Sequence, residues 1–288
     1  MELRIGTRLF TGPGPFVMGV VNVTPDSFSD GGRFLDPEAA VAHAERLAAE
    51  GADLVDLGGE STRPGAAEVD PAEEARRVVP VVAQLRARGF ALPISIDTRR
   101  ASVARLALAA GADLVNDVSG LSDPEMAAVV AAARVPVVLQ HMRGTPATMQ
   151  HRADYRDLLG EVAEELRAAL ARAESAGIPV ERVILDPGLG FAKTTGQTVE
   201  LLARVGELKA LGRPLLVGPS RKRFIGDLTG APVRDRLAGT LAAVTACVLA
   251  GVELVRVHEV APAVQAARVA AALREAHGAW AGGPAGLR

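Results

Sequence analysis

Residues 50–56 read EGADLVD and residues 110–116 read AGADLVN, so the chain carries one short pattern in two places. Residues 251–256, which read GVELVR, are a looser copy of it. In each copy the glycine follows a helical stretch, where a left-handed cap favours glycine, and a short apolar run then ends in a polar residue. The pattern predicts a repeated unit made of a helix, its cap and a short buried strand.

The same alternation of short β-branched runs and longer helical stretches continues along the chain. The predicted strands span residues 16–23, 54–57, 94–97, 114–116, 135–140, 183–185, 215–217 and 254–257. The predicted helices lie around residues 37–50, 71–88, 100–110, 123–133, 153–176, 198–211, 233–250 and 262–276. This succession predicts an α/β fold, a single (β/α)8 TIM barrel. An open doubly wound sheet is the alternative, but no G-x-G-x-x-G motif follows the first strand to support a dinucleotide site.

The length of 288 residues fits one large domain or two small ones. No stretch of the sequence reads as an interdomain linker, so we predict a single domain over residues 1–288. Within it, residues 1–15 form a short N-terminal β-hairpin that covers the bottom of the barrel. Residues 16–277 form the barrel, and residues 278–288 form a disordered tail.

The composition excludes several classes of protein. The chain is 49% hydrophobic with a formal net charge of -2, which argues against disorder and against nucleic acid as the main partner. The N-terminus does not resemble a signal peptide, and the longest uncharged run, residues 237–252, is shorter than the roughly 20 residues of a membrane span. The lone cysteine, Cys247, permits no intrachain disulfide and indicates a reducing compartment. We therefore predict a cytoplasmic protein without a membrane partner.

Polar and charged residues stand where nearly every predicted strand ends. In (β/α)8 barrels the active site forms at the carboxyl ends of the strands and in the loops that follow them. The residues at these positions are Asn22, Glu60 to Arg63, Asp97, Asn116, Gln140, His141, Asp186, Ser220 to Lys222, Arg256 and His258. Any one of them could simply mark the start of a loop, but their concentration at one end of the barrel predicts an active site there.

The loops after these strands carry a specific resemblance. The relevant segments are residues 22–32 (NVTPDSFSDGG), 58–65 (GGESTRPG), 96–98 (IDT), 116–117 (ND), 141–146 (HMRGTP), 186–193 (DPGLGFAK), 218–222 (GPSRK) and 256–258 (RVH). In this order they resemble the dihydropteroate synthase family of the folate pathway. The resemblance runs from about Phe16 to the last helix, and it implies the same barrel fold.

The resemblance implies a transferase that condenses 6-hydroxymethyl-7,8-dihydropterin diphosphate with 4-aminobenzoate, giving 7,8-dihydropteroate and pyrophosphate. In the family, pyrophosphate departs early and the arylamine captures the resulting cation. By resemblance the catalytic residues are Lys222, Asp97 and Arg256. The pterin-binding residues are then Asp97, Asn116, Asp186, Lys222 and Gln140, since a carboxylate suits the N–H donors on the pterin edge and an amide suits its mixed edge.

The diphosphate and its metal define a second group of residues. By resemblance the diphosphate contacts Asn22, Thr62, Arg63, Arg256 and His258, because a guanidinium offers a fork of donors to phosphoryl oxygens. The implied cofactor is Mg²⁺, with Asn22 as its protein contact, and Mg²⁺ commonly keeps several waters beside few protein ligands.

The 4-aminobenzoate slot is the third implied feature. Its residues are Phe28, Thr62, Pro64, Phe191 and Ser220, which combine apolar contact with an anchor for the carboxylate. Asp30 could also touch the cationic intermediate. Because sulfonamides target this family, we expect them to compete with 4-aminobenzoate.

The chain departs from the family at three positions, where Gln140 replaces the usual Met, Glu259 the usual Asp and Ala192 a common Gly. These changes put the Gln140 contact with the pterin in question. Two alternative functions remain open, a methyltetrahydrofolate-binding methyltransferase that donates to a corrinoid protein and a non-catalytic pterin-binding barrel. The resemblance also suggests a homodimer, with residues 237–252 and the last helix as its contact face.

Overall fold

The computed structural model describes residues 2–24, 37–61 and 68–281. The strands are β1 (Glu2–Ile5), β2 (Arg8–Thr11), β3 (Phe16–Asn22), β4 (Leu54–Gly58), β5 (Ile94–Asp97), β6 (Leu114–Asp117), β7 (Val137–Gln140), β8 (Val183–Asp186), β9 (Leu216–Val217) and β10 (Leu254–Val257). The α-helices are α1 (Pro37–Ala49), α2 (Pro71–Ala87), α3 (Ala101–Ala109), α4 (Met126–Ala133), α5 (Leu158–Ser175), α6 (Thr195–Ala203), α7 (Arg223–Thr229), α8 (Leu237–Leu249) and α9 (Val260–Ala281).

Strands β3 to β10 form one parallel sheet that closes on itself. Their order is β8-β7-β6-β5-β4-β3-β10-β9, and Leu185 of β8 pairs in parallel with Leu215, the residue before β9. The backbone N–H of Leu185 also donates to the carbonyl of Pro214 over 2.9 Å. The two edges of the sheet therefore meet, which confirms the (β/α)8 barrel and rules out the open doubly wound sheet.

Alternate residues of each strand face the inside and the outside of the barrel, as the period of a strand requires. The inward residues at the lower level of the barrel form one buried cluster, made of Met18, Leu54, Leu114, Val138, Ile184, Leu216 and Leu254. Their neighbours along the strands, such as Val55 and Val115, belong to a separate cluster with the surrounding helices.

The N-terminal hairpin closes the lower end of this barrel. Strands β1 and β2 pair antiparallel, and their side chains Leu3, Ile5 and Phe10 join the inward cluster. Phe10 packs edge-to-face on Phe16, the first residue of β3, with ring centroids 5.0 Å apart. The prediction of a hairpin that covers the bottom of the barrel is confirmed.

Several element boundaries differ from the sequence-based prediction. Strand β7 begins at Val137 rather than 135, since Pro136 cannot donate a ladder hydrogen bond. The stretch 198–211 is not one helix: α6 starts earlier, at a capping box formed by Thr194 and Gln197, and a 3-10 helix, Val205–Leu211, follows it. The short helix α7 was not predicted.

The last helix, α9, continues to Ala281 and so enters the segment 278–288 that was expected to be a disordered tail; residues 282–288 lie outside the described part of the chain. Among the described helices, none is both long and apolar enough to cross a bilayer.

Candidate active site

A ring of polar side chains lies directly above the inward apolar cluster. Each stands two residues after an inward residue of the same strand, so it points into the barrel from the carboxyl end of that strand. The pairs are Leu54 and Asp56, Ser95 and Asp97, Leu114 and Asn116, Val138 and Gln140, Ile184 and Asp186, and Leu254 and Arg256. Because side chains alternate along each strand, residues that lie far apart in the sequence meet at the same rim of the barrel.

Arg256 joins two carboxylates in this ring. Its Nε donates to Oδ2 of Asp56 over 2.6 Å, and its Nη2 donates to Oδ2 of Asp97 over 2.7 Å. Asn116 is part of the same cluster, since its Nδ2 donates to Oδ2 of Asp56 over 3.0 Å. Burial is the main cause that raises the pKa of Asp97 to about 7; Arg256 opposes the rise and the Asp56 charge adds to it. The cluster thus holds a carboxyl that titrates close to neutral pH.

Asp186 and Lys222 form the opposite part of the site. The backbone N–H of Gly188 donates to Oδ1 of Asp186 over 2.7 Å, yet burial still raises the pKa of Asp186 to about 6. Burial lowers the pKa of Lys222 to about 8, against the attraction of Asp186 and Asp97. The Lys222 ammonium also lies over the ring of Phe191, 4.3 Å from its centroid. One lysine therefore contacts an aromatic face and balances two carboxylates.

The loop between β8 and α6 is held from below by a buried lysine. Nζ of Lys193 lies 2.9 Å from Nδ1 of His141, 3.0 Å from the carbonyl of Phe191 and 3.2 Å from that of Gly188. Nε2 of His141 in turn lies 3.0 Å from a carboxylate oxygen of Glu165. Because the Glu165 carboxylate can only accept, the imidazole proton is on Nε2, and Nδ1 is left to accept from Lys193. Because Lys193 donates to the backbone carbonyl of Phe191, these contacts hold the backbone that carries the Phe191 ring in place.

Gly188 is required at its position in this loop. Its φ is +69°, and a Cβ built there would lie 2.1 Å from the carbonyl oxygen of His141. Ala192, which stands where the family commonly has glycine, also adopts a left-handed φ of 49°. The substitution therefore leaves the backbone in a conformation that suits glycine.

The loop after β9 meets the end of β10. Oγ of Ser220 lies 2.9 Å from Nδ1 of His258, whose backbone N–H donates to the same oxygen over 3.2 Å. Glu259 accepts a hydrogen bond from Nε of Arg221 over 2.6 Å and one from Ser220 over 3.4 Å. The two residues predicted for different ligands, Ser220 and His258, are thus in direct contact.

The remaining predicted residues divide into two groups. Asn22 ends β3, where its Cα pairs with that of Gly58, and Gln140 ends β7 with a buried Nε2 that has no hydrogen-bond partner among the described residues. The others lie outside the described residues, and they are Phe28, Asp30, Thr62, Arg63 and Pro64.

Asp56 is the member of the ring that the sequence-based reasoning missed. It is fully buried and touches both Arg256 and Asn116. The sequence contained a signal for it, because the repeated pattern aligns Asp56 in EGADLVD with Asn116 in AGADLVN. Lys193 and His141 were not assigned a role either, and only their contacts in the folded chain reveal one.

The described residues include no group of three or more His, Cys, Asp or Glu side chains that could hold a metal ion. The amide oxygen of Asn22 is a neutral, hard donor at the rim of the barrel, which fits a Mg²⁺ ion held mainly by substrate oxygens and water. The site as a whole offers carboxylates and an amide to a polar heterocycle, a guanidinium and an ammonium to an anion, and an aromatic ring to a flat second ligand.

Comparisons with known proteins agree with this arrangement. A model of the family described as pterin binding enzyme matches residues 18–258. The dihydropteroate synthase of Synechocystis sp. is 48% identical over 274 residues, covering 94% of this chain and 94% of that protein.

Solved structures resemble the chain equally closely. One is Xanthomonas albilineans dihydropteroate synthase with 4-aminobenzoic acid, with a TM-score of 0.89 at 49% identity, covering 95% of this chain and 98% of the other. The X. albilineans enzyme in complex with 7,8-dihydropteroate has a TM-score of 0.86 at 46% identity, with coverage of 95% and 99%. The Yersinia pestis dihydropteroate synthase in a sulfonamide drug complex has a TM-score of 0.90 at 41% identity, with coverage of 96% and 100%.

Proposed function

This chain belongs to the pterin-binding enzyme family, and we infer that it is a dihydropteroate synthase, a transferase of folate synthesis. It condenses 6-hydroxymethyl-7,8-dihydropterin diphosphate with 4-aminobenzoate and releases 7,8-dihydropteroate and pyrophosphate. The observation that carries this function is the single buried cluster in which Arg256 bridges Asp56 and Asp97 while Asn116 contacts Asp56. Such a cluster suits a heterocycle that carries both hydrogen-bond donors and an anionic leaving group.

The pterin is bound by its edge. The Asp186 carboxylate uses Oδ1 for one backbone N–H and keeps lone pairs on both oxygens for the N–H donors of the pyrimidine ring. The NH₂ group of Asn116 is turned to Asp56, and its buried Oδ1, which has no hydrogen-bond partner among the described residues, is the acceptor that it keeps for a ligand. Gln140 reaches the same space from β7, and its Nε2, for which the described residues provide no hydrogen-bond partner, is a donor for the pterin.

Carbon–oxygen cleavage and amine attack are the two chemical events. The bond between the pterin methylene carbon and the diphosphate oxygen breaks early, and its electron pair leaves with the diphosphate. Asp97 stands at the rim beside Arg256 and, when ionised, stabilises the cation that remains on the pterin. The 4-aminobenzoate nitrogen then forms the new bond to carbon with its lone pair and releases one N–H proton to solvent water.

The leaving diphosphate is stabilised by cationic groups of the same rim. Arg256 uses Nε and one N–H of Nη2 for its carboxylate partners, so it retains further N–H groups for phosphoryl oxygens. His258 and Asn22 lie at the ends of the strands on either side of the pairing between β10 and β3. A bound Mg²⁺ would spread the charge of the diphosphate, and Asn22 is the residue that would hold it.

The slot for 4-aminobenzoate uses Phe191 and Ser220. Lys193 donates to the backbone carbonyl of Phe191, and the Phe191 ring contacts the ammonium group of Lys222. The 4-aminobenzoate slot and the pterin pocket therefore meet at Phe191 and Lys222. Ser220 anchors the carboxylate of 4-aminobenzoate, and for this its hydroxyl proton turns to the ligand from Glu259, which accepts it over 3.4 Å. A sulfonamide, which has the same flat aryl amine, is therefore expected to compete for this slot.

We also propose that two copies of the chain associate through helices α7 to α9. Large apolar side chains are exposed on these helices, and they are Leu228, Leu237, Leu249, Val269 and Leu273. Sedimentation equilibrium tests the dimer, which a monomer at micromolar concentration would contradict.

The function is tested by incubating the purified protein with both substrates and Mg²⁺ and measuring 7,8-dihydropteroate by mass spectrometry. Formation of that product supports the proposal. Two other outcomes correspond to the alternatives: methyl transfer from methyltetrahydrofolate to a corrinoid protein indicates a methyltransferase, and pterin binding without either reaction indicates a binding protein. Inhibition by a sulfonamide should be relieved as the concentration of 4-aminobenzoate rises.

A further inference from the structure

We infer that Asp56 is a positioning residue that sets which way the Asn116 amide faces and how the Arg256 guanidinium lies in the pterin pocket. This inference rests on the proposed function, because it concerns how the same pocket recognises its heterocycle. Asp56 lies on β4, whereas Asn116 lies on β6 and Arg256 on β10. The strand-end ring brings the three together although they are separated by 60 and 200 positions in the sequence.

The contact with Asp56 decides which end of the Asn116 amide faces it. Asp56 is fully buried, and a carboxylate that accepts from the Arg256 guanidinium is ionised and can only accept. The Asn116 atom that faces it at 3.0 Å must therefore be the NH₂ group. The other atom, Oδ1, is buried and has no hydrogen-bond partner within the described ranges 2–24, 37–61 and 68–281. A buried acceptor that makes no hydrogen bond costs folding free energy. A ligand that donates a hydrogen bond to this oxygen removes that cost when it binds.

The Arg256 guanidinium is held by two carboxylates. Its Nε donates a hydrogen bond to Asp56, and its terminal nitrogen Nη2 donates one to Asp97. Two contacts, from Nε and Nη2 to carboxylates on two different strands, fix the plane of the group, because rotation about the side chain would break one of them. The N–H groups that remain then face a fixed direction, so an anion meets a guanidinium that is already oriented.

The consequence is a selectivity rule for the heterocycle. With Asn116 locked as an acceptor, the pocket presents the Asn116 oxygen and the Asp186 carboxylate to the ligand edge. A ring that offers N–H donors to both is accepted, whereas a ring with a lone pair opposite Asn116 is rejected. Without Asp56 the amide can turn and offer its NH₂ group instead, and this discrimination is lost.

A mutant cycle between Asp56 and Asn116 tests the inference. The variants are Asp56→Ala, Asn116→Ala, the double variant and the conservative Asp56→Asn, whose oxygen can still accept from both partners. Ser95→Ala is the matched control, since Ser95 pairs with Asp56 in the register of β4 and β5 and is equally buried. The readout is the dissociation constant of 6-hydroxymethylpterin, an unreactive pterin, measured by fluorescence titration; thermal unfolding checks that each variant is folded.

We expect Asp56→Ala and Asn116→Ala each to weaken pterin binding by about 10- to 100-fold, the range of a hydrogen bond to a charged group. Because Asp56 acts through Asn116, the double variant should be weakened by much less than the product of the two single effects. Asp56→Asn should recover most of the affinity, and Ser95→Ala should bind pterin like the wild type.

Multiplicative losses in the double variant, or equal affinity of Asp56→Ala and wild type, would overturn the inference. If Asp56→Ala does not fold, Asp56→Leu, which fills a similar volume and accepts no hydrogen bond, takes its place in the cycle with Asn116→Ala. Because the readout is binding of an unreactive pterin, it is independent of turnover. A wild type that binds pterin without making dihydropteroate would contradict the proposed function while the cycle still decides the role of Asp56.

Discussion

The ammonium group of Lys222 lies 4.3 Å from the centre of the Phe191 ring, so one contact joins the pterin pocket to the 4-aminobenzoate slot. Lys222 comes from the loop after β9, and Phe191 comes from the loop after β8. The ring lies over the charged nitrogen, whose pKa burial already lowers to about 8. Binding of 4-aminobenzoate in its slot and the charge state of Lys222 are therefore linked through the face of the Phe191 ring.

The first prediction concerns that aromatic face. Phe191→Leu keeps an apolar side chain but removes the ring, and with it a cation–π contact of about 0.5–2 kcal/mol. We expect the KM for 4-aminobenzoate to rise by about 3- to 30-fold, because the slot loses its flat wall, with a smaller change in the KM for the pterin substrate. Steady-state kinetics with each substrate varied in turn measure the two constants. Equal increases in both KM values would show that Phe191 does not define the slot.

The pH dependence of kcat/KM for the pterin substrate should be bell-shaped. Catalysis needs Asp97 ionised and Lys222 protonated, and their pKa values are about 7 and about 8. In Asp97→Asn the acid limb should move toward pH 6, where Asp186 titrates, although the rate itself falls. In Lys222→Arg the basic limb should disappear. An Asp97→Asn profile with an unchanged acid limb would assign that limb to another group.

Arg256→Ala should destabilise the fold in a pH-dependent manner. The substitution leaves Asp56 and Asp97 buried without their shared cation, which costs about 3–5 kcal/mol of unfolding free energy when both are ionised. The folded pKa of Asp97 is already raised to about 7, well above the value of about 3.9 for an unfolded Asp. The loss of stability should therefore be largest above neutral pH and should shrink as the pH falls and Asp97 becomes neutral.

Urea unfolding of wild type and Arg256→Ala at several pH values measures this difference. Arg213→Ala is a suitable control, since Arg213 contacts only the backbone carbonyl of Val183 among the hydrogen bonds of the described chain. A difference between wild type and Arg256→Ala that stays constant from about pH 6 to pH 9 would contradict the expected ion cluster.

Lys193 should prove more important for the position of Phe191 than for catalysis itself. Lys193→Met removes the donor to His141 and to the carbonyls of Phe191 and Gly188, and unmade bonds of this kind cost about 1–3 kcal/mol. Burial lowers the pKa of Lys193 to about 7, whereas an unfolded lysine titrates near 10.4. The folded form thus prefers the neutral amine, so the stability advantage of wild type over Lys193→Met should grow as the pH rises above about 7.

Chemical denaturation from about pH 6 to pH 9 tests the Lys193 prediction, and the KM for 4-aminobenzoate should rise in parallel. Lys209→Met serves as the matched control, because Lys209 pairs with Glu253 near the hairpin end of the barrel and is more exposed. A variant of Lys193 as stable as the wild type throughout that range would mean that its contacts carry no net energy.

Most of the barrel could be predicted from the sequence, because the strand period and the cap glycines are local signals. The repeat around Asp56 and Asn116 revealed the unit, and the short apolar runs gave strands whose ends lie within a few residues of the observed ones. The errors fall where tertiary contacts decide. The helix expected over 198–211 breaks into α6 and a 3-10 helix, and α7 is too short to show a clear period.

The site was predictable only in part, for a related reason. Residues at strand ends, such as Asp186 and Arg256, can be found from their position alone. Asp56 was missed because the polar residues assigned to the end of its strand were those of the following loop, Glu60 to Arg63, and because its importance depends on Arg256. The buried contact between Lys193 and His141 joins two loops that are far apart in the sequence, so no local pattern indicates it.

The central claim is that the strand-end residues form one active site that joins an aryl amine to a pterin with loss of pyrophosphate. The most direct measurement is pyrophosphate release, in the presence of Mg²⁺, by the wild type, Lys222→Ala and Lys209→Ala. We predict rapid release by the wild type and Lys209→Ala when both substrates are present, and loss of most turnover in Lys222→Ala while its circular dichroism remains that of a folded barrel. Release by folded Lys222→Ala at the wild-type rate would contradict the account.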